Sequence, residues 1–199
     1  QIAVALWQAV TSGKINMLEL FAGSARVSAS AADQGLKVGP PVDLRTGFDL
    51  NTATGQAKAW KIITTQQPDC VMMEPVCTWW CSLSNMAPAW KREKMRKKNL
   101  PMIRFCVQVA FHQLKKGKYF LIEHPAASQM WSLKELIQLG LGEGVTWDNL
   151  DFCAYGMKDP DSGLPFLKPI CLMHNFPSGV LDPIFKRCTN RVSGHKGPQ

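Results

Sequence analysis

The stretch INMLELFAGSAR, residues 15–26, joins a short apolar run to a turn of small residues. The run INMLELF has the length and composition of a buried strand. The turn AGSAR leads into VSASAADQG, whose pattern predicts a helix that ends at Gly35. A buried strand that turns directly into a helix begins a strand–helix–strand unit, so this stretch indicates an α/β fold.

The same alternation of strand and helix patterns continues through residue 139. Further strands are predicted at LKVGPPVDL, where two prolines break the strand, and at DCVMME and YFLIEHP. Further helices are predicted at IAVALWQAV (residues 2–10), TGQAKAWKIITTQQ, PMIRFCVQVAFHQLKKG and SQMWSLKELIQLG. From residue 140 onward, short runs alternate with Gly and Pro, which is typical of hairpins and loops. We therefore predict one domain over residues 1–199, with a core at about 15–139 and a small irregular part at 140–199. Its sheet is expected to be mostly parallel, with helices on both faces.

The chain carries a formal net charge of +8, and part of its basic charge is concentrated in one segment. The segment KREKMRKK contains Lys91, Arg92, Lys94, Arg96, Lys97 and Lys98. A field of this sign favours polyanionic partners such as nucleic acid, although a solvated helix face would have the same composition.

The cysteines and the lack of targeting signals indicate in which cellular compartment the protein works. The seven cysteines are odd in number, and their spacings do not resemble a disulfide framework. The sequence shows no signal peptide, transit peptide or transmembrane run. We therefore expect a reducing compartment, nuclear or cytoplasmic, and no membrane association.

Polar and reactive residues follow the predicted strands at the points where each strand ends. In parallel α/β sheets, ligands bind at the carboxyl ends of the strands. Gly23 after the first strand would let the backbone approach a ligand, and Asp43 after the second is well placed to bind ribose hydroxyls. Asp49 is a similar but weaker candidate. Cys77 follows the third strand, and Glu123 ends the fourth, where a carboxylate is costly unless it is hydrogen-bonded or used.

Cys77 and Cys81 stand four positions apart in MEPVCTWWCS, residues 73–82. This spacing is not that of a dithiol redox site, and further zinc ligands at matching spacing are missing, so we predict no metal. Cys188 and His195 are the remaining candidate metal ligands, and their spacing is a weak signal. We predict packing roles for Cys70, Cys81 and Cys106, whereas Cys77 lies in the loop where this architecture places catalysis.

The order of these motifs resembles the DNA cytosine-5 methyltransferases, of the shortened kind found in mobile-element polyproteins and phages. LFAGSARVS looks like the family's first motif, EPVCTWWCS like its Pro-Cys motif, and LIEHP like its Glu-Asn-Val motif. The tail CAYG, residues 153–156, followed by Lys168 and Pro169, is also similar. The resemblance covers residues 15–175 and implies a Rossmann-like methyltransferase fold.

The resemblance implies roles for residues at the matching positions. The cofactor would be S-adenosylmethionine, held by Phe21, Ala22, Gly23, Ser24, Asp43 and Asp49, with Pro75 shaping the neighbouring catalytic loop. Cys77 would be the nucleophile, and Glu123 would engage the cytosine ring. Thr78 would line the base pocket, and Trp79 and Trp80 would either wall this pocket or belong to the core. DNA would be the partner, and the segment 91–98 would contact its phosphates. Other domains of a longer polyprotein would be further partners.

The chemistry explains why these residue types are needed. Cytosine carbon 5 is a poor nucleophile until a thiolate adds at carbon 6, and a free thiol needs an electropositive setting to form that thiolate. A protonated Glu123 at ring nitrogen 3 would stabilise the adduct, and an apolar site raises a carboxyl pKa. The target base must leave the duplex to reach such a pocket.

The sequence also departs from the family's pattern. Val76 stands where the family has a proline, Cys81 where it has a serine, and His124 where it has an asparagine. The Gln-x-Arg-x-Arg motif is absent, and MKDPDSG stands in its place. Two alternatives therefore stay open: a catalytically degenerate nucleic-acid-binding domain of a mobile-element polyprotein, and an amino-methyltransferase, in which an acidic residue and prolines occupy the place of EPVC.

Overall fold

Five strands and four α-helices build the part of the chain that the computed structural model describes, residues 14–188. The strands are β1 (Met17–Leu20), β2 (Cys70–Met73), β3 (Tyr119–Pro125), β4 (Thr146–Asp151) and β5 (Pro169–His174). The helices are α1 (Arg26–Asp33), α2 (Ala53–Gln66), α3 (Ala89–Lys115) and α4 (Lys134–Gly140). The helix predicted over residues 2–10, and His195, lie outside the described residues.

The strands form one sheet in the order β1–β2–β3–β5–β4. β1, β2 and β3 are parallel, with Leu20 beside Met73 and Met73 beside Ile122. β5 is antiparallel to both β3 and β4, so β4 runs in the same direction as the first three strands. This arrangement confirms the predicted Rossmann-like α/β fold with a mostly parallel sheet. The part after residue 140, predicted as hairpins and loops, supplies the antiparallel pair β4 and β5 to this sheet.

Side chains that alternate along the strands build a separate core on each face of the sheet. One face packs against α2, α3 and α4 through Leu18, Leu20, Val71, Met73, Phe120 and Ile122. The other face carries Cys70, Leu121, Ile170 and Leu172, with Phe176 packed on them. Helix α1 is tied to this second face because Ser28 hydrogen-bonds to Glu19 of β1. Helices on both faces are thus confirmed.

Three elements differ from the sequence-based prediction. The stretch LKVGPPVDL has the pattern of a strand, but it makes only isolated bridges from Val38 to Met17 and from Val42 to Leu20. The prolines between them lack the N–H groups that a continuous ladder needs. Helix α3 begins well before Pro101 and so includes the basic segment. The helix predicted over SQMWSLKELIQLG is divided at Leu133, whose backbone is extended, into a short 3₁₀ turn and α4.

The described helices can also be compared with the requirements of a membrane span. No helix within residues 14–188 combines the length and the apolarity that crossing a membrane requires. The longest, α3, carries the basic segment along its first half.

Candidate active site

One edge of the sheet collects the residues predicted to carry chemistry. Because β1 to β4 run in the same direction, their carboxyl ends meet at this edge, and the amino end of the antiparallel β5 lies there too. The edge therefore brings together the turn 21–25, the loop 74–81, Glu123 at the end of β3 and Lys168 directly before β5. Ligands of open α/β sheets bind at this kind of edge.

The turn after β1 has an unusual backbone. Phe21, Gly23 and Ala25 all have positive φ angles, of 61°, 53° and 52°. For the two residues that carry a Cβ this left-handed conformation costs roughly 1–2 kcal/mol each, and such strain is concentrated at binding sites. The peptide N–H of Phe21 donates to the carbonyl oxygen of Val42 at 2.7 Å, which secures the turn against the segment beside β1.

Asp43 connects this turn to the next segment of the edge. Its Oδ2 accepts a hydrogen bond from the Gly23 N–H at 3.0 Å, and its Oδ1 accepts one from the Arg45 N–H at 2.9 Å. The two predicted cofactor positions, Gly23 and Asp43, are therefore in direct contact. Gly23 is exposed and a Cβ at this position would meet no atom within 4 Å, so the turn leaves open space above its backbone.

The remaining predicted cofactor residues surround this turn. Ala22 is buried, Ser24 is exposed and Phe21 is half-buried. Asp49 is half-buried and accepts a hydrogen bond from the Asn51 N–H at 3.0 Å, just before α2 begins. Pro75 is buried at the start of the loop that follows β2.

The loop 74–81 presents Cys77 as a half-buried side chain. The carbonyl oxygen of Cys77 accepts hydrogen bonds from the N–H groups of Trp80 at 2.8 Å and Cys81 at 3.1 Å, so the chain turns tightly after it. Thr78 is exposed beside it, and Trp80 is buried in the core, which answers the question that the sequence left open for this tryptophan. Trp79 is half-buried.

Arg96 of α3 holds this loop in place. Its Nε donates to the carbonyl oxygen of Trp79 at 2.6 Å, and its guanidinium lies 5.5 Å from the ring centre of Trp80. Further hydrogen bonds run from the same guanidinium to Gln129 and Ser84. The sequence pattern groups Arg96 with phosphate-binding residues, whereas the structure gives it partners within the protein.

The other members of the basic segment lie on the outer part of α3. Lys91, Lys94, Lys97 and Lys98 are exposed and Arg92 is half-buried. Lys97 pairs with Glu93 at 2.9 Å in an exposed salt bridge, and Arg92 donates to the carbonyl oxygen of Ala87 at 3.2 Å. Trp90 is 68% exposed beside them, so an aromatic face accompanies the basic residues.

Three carboxyl groups share one face of the sheet at this edge. Glu19 of β1, Glu74 directly after β2, and Glu123 of β3 occupy alternating positions that point to the same side. Glu19 is 1% exposed, and its Oε2 accepts hydrogen bonds from the N–H of Ser28 at 2.8 Å and from the Ser28 hydroxyl. Burial, followed by the charges of Glu123 and Glu19, raises the pKa of Glu74 to about 7. Burial also raises the pKa of Glu123.

Lys168 supplies positive charge to this group of carboxyls. It lies directly before β5, with its ammonium 5.1 Å from the ring centre of Phe152. Its charge opposes the rise in the pKa of both Glu74 and Glu123. The pKa of the Cys77 thiol is raised by burial and next by Cys81, and Lys168 opposes that rise as well. Lys168 is thus positioned to favour the thiolate.

His124 stands where the family has an asparagine, and it belongs to the interior. It is fully buried, and burial lowers the pKa of its imidazole to about 4, so the ring is neutral at pH 7. The ring packs edge-on against Trp131 with the ring centres 6.0 Å apart. Because its backbone belongs to β3, its side chain points to the opposite face from Glu123.

The other cysteines are separate from this edge or buried in the core. Cys70 and Cys106 are buried, and burial raises the pKa of both thiols, in accord with the packing role predicted for them. Burial raises the pKa of the Cys153 thiol, and the neighbouring Cys188 raises it further. Among residues 14–188, no group of three or more His, Cys, Asp or Glu side chains is placed to hold a metal ion.

A cavity of about 800 Å³ lies at the opposite edge of the sheet, near the start of β4 and the end of β5. Its lining includes Asp148 and His174, whose carboxylate Oδ2 and ring Nε2 are 3.1 Å apart. The Phe176 N–H donates to the other ring nitrogen of His174 at 3.2 Å, so both nitrogens of the imidazole are engaged in holding the structure together.

Sequence reasoning missed three residues of the candidate site. Glu19 and Glu74 each stand within or directly after a strand in the sequence, and strand alternation could have placed them on the face of Glu123. Lys168 was noted in the sequence only as part of the tail similar to the family, without a role at the site. Its place at the site depends on β5 being antiparallel between β3 and β4, which the local pattern does not indicate.

Comparisons with known proteins give little beyond the architecture. No protein-family model and no curated protein matches the sequence. Among solved structures, the chain is similar to the crystal structure of the Dnmt2 methyltransferase of S. pombe, with a TM-score of 0.44 and 11% sequence identity. The match covers 82% of this chain and 50% of that chain, so this chain spans about half the length of the protein it matches.

Proposed function

We propose that this chain carries an S-adenosylmethionine-dependent methyltransferase domain that acts on carbon 5 of cytosine in DNA. The observation that carries the proposal is the convergence at one edge of the sheet of three separate parts of the chain. These are the Gly23–Asp43 turn, the loop that presents Cys77, and Glu123. A mechanism of this type needs a cofactor site, a thiol nucleophile and an acidic group in one place.

The residues at the edge fit the proposed cofactor. The open, left-handed turn at Gly23 leaves room for a ligand to approach the backbone, and Asp43 beside it offers carboxylate oxygens to ribose hydroxyls. The cofactor supplies a methyl group on a positively charged sulfur when bound. The acidic side chains of Glu19 and Glu74 lie at this edge and suit such a cation.

The reaction starts with Cys77 as the nucleophile. Its thiolate would add to carbon 6 of a cytosine that has left the duplex, while Glu123 donates a proton to ring nitrogen 3. The raised pKa of Glu123 favours the protonated form that this step needs. Lys168 would assist by favouring the Cys77 thiolate against the effect of burial.

DNA binding would use the outer face of α3. Lys91, Lys94 and Lys98 are exposed there next to Trp90, and they would contact phosphates while the indole offers a stacking surface. Arg96 is excluded from this role by its bonds to the loop 74–81. The lysines of one helix face therefore form the proposed contact surface.

A second candidate is a nucleic-acid-binding domain that no longer methylates. The observation in its favour is the raised pKa of Cys77, which burial and Cys81 push away from the thiolate. Such a domain would bind DNA equally well with and without the Cys77 thiol. An amino-methyltransferase is the third, favoured by Glu74 and Pro75 ahead of Cys77; its product would carry the methyl group on an exocyclic amino group.

The test combines purified protein, tritiated S-adenosylmethionine and duplex DNA that contains 5-fluorocytosine. The fluorine cannot leave as a proton does, so a cytosine-5 mechanism traps a protein–DNA adduct that survives denaturant. We expect this adduct with the wild type and with Cys81→Ser, the matched cysteine control, and no adduct with Cys77→Ser. An adduct that persists in Cys77→Ser would assign the nucleophile elsewhere.

The remaining outcomes separate the alternatives. DNA binding with no adduct and no methyl transfer would favour the degenerate binding domain. Label on an exocyclic amino group, found by nucleoside analysis of ordinary DNA, would favour the amino-methyltransferase. A failure to bind S-adenosylmethionine in calorimetry would remove the cofactor from the proposal.

A further inference from the structure

Glu74 and Glu123 are neighbours at the ends of adjacent parallel strands. The pairing of Met73 with Ile122 ends β2, and the next position along each strand holds a glutamate. The Glu74 N–H still donates to the carbonyl oxygen of Leu20 in β1 at 3.2 Å, so Glu74 remains attached to the sheet, and Glu123 is close enough for its charge to act on Glu74. Adjacent strands lie about 5 Å apart, which places the two carboxyl-bearing side chains side by side on one face of the sheet.

Glu74 also stands at the start of the loop that carries the nucleophile. It precedes the buried Pro75, and Cys77 is the third residue after it. Of the three carboxyls at this edge, Glu19 is engaged by Ser28, and Glu123 has a role in the proposed reaction. Glu74 is half-buried and is the carboxyl that this reaction leaves without a task.

The chemistry of the proposed function leaves one proton to remove. After the methyl group is transferred, carbon 5 carries both the methyl group and its original hydrogen, and the ring stays bonded to Cys77 through carbon 6. The adduct resolves when a base takes the carbon-5 proton. The C–H electron pair then forms the double bond between carbons 5 and 6, and the C6–S bond breaks with its electron pair leaving on the Cys77 sulfur.

We propose that Glu74 is the catalytic base that removes this proton, while Glu123 serves ring nitrogen 3. The inference rests on the proposed function, because it concerns the second half of the same reaction. The two steps need opposite protonation states, one carboxylic acid for ring nitrogen 3 and one carboxylate for carbon 5. Two carboxyls placed side by side readily adopt such a pair of states, since ionisation of one opposes ionisation of the other.

The electrostatic surroundings of Glu74 suit a base that works near neutral pH. The groups that act on it are Lys168, which is positive, Glu19, and Glu123, which carries a negative charge once it has passed its proton to ring nitrogen 3. Their effect, together with burial, brings its pKa to about 7. A base is most effective when its pKa is close to the pH at which it works.

The experiment compares Glu74→Gln with Glu123→Gln on ordinary cytosine DNA, with Glu143→Gln, an exposed loop glutamate, as the matched control. Glu74→Gln should add to the base and transfer the methyl group but fail to release it. A denaturant-resistant, tritium-labelled adduct should then accumulate on DNA that lacks fluorine. Turnover should fall by roughly 100-fold or more, the contribution typical of a general base. Glu123→Gln should instead reduce adduct formation itself.

Glu74→Asp keeps a carboxylate and should restore part of the turnover, which a merely structural role for the side chain would not predict. Wild-type turnover in Glu74→Gln would overturn the inference. So would the loss of all adduct formation in a Glu74→Gln protein that still folds and binds S-adenosylmethionine. If the wild type forms no adduct with 5-fluorocytosine DNA, the proposed function fails first and the inference falls with it.

Discussion

Arg96 in α3 donates a hydrogen bond of 2.6 Å to the carbonyl oxygen of Trp79, two residues after Cys77. The guanidinium also lies over the ring of Trp80. A basic segment that looks like a phosphate-binding surface in the sequence therefore has one member turned inward. That member fixes the loop on which the candidate nucleophile stands.

Replacing Arg96 should disturb the loop 74–81 and leave the lysine contacts proposed for DNA unchanged. We expect Arg96→Met to lower the free energy of unfolding by about 1–3 kcal/mol, because the carbonyl oxygen of Trp79 loses a charged donor. Urea unfolding measures this loss, and the 5-fluorocytosine adduct should form more slowly. Lys97→Met, which removes an exposed lysine of the same helix, should leave both quantities nearly unchanged.

In the proposed complex with DNA, the exposed lysines of α3 should account for the salt dependence of binding. For each phosphate that the protein no longer neutralises, the slope of log affinity against log salt should become shallower by about 1. We expect this change for Lys94→Gln, measured by fluorescence anisotropy over a series of salt concentrations. Lys61→Gln on α2 is the matched exposed control. Equal slopes for both variants would place the DNA surface elsewhere.

The bond between Glu19 and Ser28 should be important for stability. Glu19→Ala leaves the buried N–H and hydroxyl of Ser28 without their acceptor, which should cost about 1–3 kcal/mol in the free energy of unfolding. Ser28→Ala removes only the hydroxyl and should cost less. A double-mutant cycle in urea tests the pair, and additive effects would show that the two side chains do not interact.

Gly55 allows the start of α2 to pass close to Asp49. A Cβ on residue 55 would overlap the backbone carbonyl of Asp49, and backbone cannot move aside as a side chain would. Gly55→Ala should therefore lower the free energy of unfolding by about 1–3 kcal/mol, although alanine favours helices. Thermal unfolding is the measurement, with the exposed Lys58→Ala in the same helix as the control. A stabilised Gly55→Ala protein would contradict the close approach.

The pH dependence of stability should have the sign of a carboxyl group with a raised pKa. The pKa of Glu74 rises from 4.5 to about 7 on folding, so the folded state holds this proton more tightly than the unfolded state. The stability that follows is complete below about pH 4.5 and is lost as the pH rises through about 7. Glu74→Gln should therefore gain stability relative to the wild type across this interval.

Urea unfolding of both proteins between about pH 4 and pH 8 measures that difference. His124 makes the free energy of unfolding depend on pH in the opposite direction. Its pKa falls to about 4 in the fold, so its contribution to stability is lost as the pH drops below 6.5. Both proteins contain this histidine, so its contribution cancels in the comparison. A difference that does not vary with pH would mean that Glu74 titrates alike in the folded and unfolded states.

The sequence predicted most of the architecture because the strands and helices have strong local patterns. INMLELF, DCVMME and YFLIEHP are short apolar runs, and each contains an observed strand. LKVGPPVDL, predicted as a strand broken by two prolines, makes only an isolated bridge on either side of them, because proline cannot donate to a ladder. The sequence predicts that the helix PMIRFCVQVAFHQLKKG begins at Pro101, after the basic segment. The observed helix α3 begins at Ala89 instead and continues through that proline.

The candidate site was only partly accessible from the sequence. Cys77, Glu123, Gly23 and Asp43 follow strand ends, and a parallel sheet brings such positions to one edge. Lys168 could not be found in this way, because its position results from the pairing of β5 with β3 and β4. Likewise, nothing in KREKMRKK distinguishes the inward-facing Arg96 from its exposed neighbours.

The position of β5 also determines the order in which the molecule can be assembled. β5 lies between β3 and β4, although it follows both of them in the chain. During synthesis β4 would emerge before the strand that joins it to the rest of the sheet, and it would wait unpaired until residues 169–174 arrive. Lys168 enters with that last strand. A nascent or truncated chain that lacks β5 would therefore carry Cys77 and the glutamates without the positive charge of Lys168. The charge balance of this edge is complete only when β5 has joined the sheet.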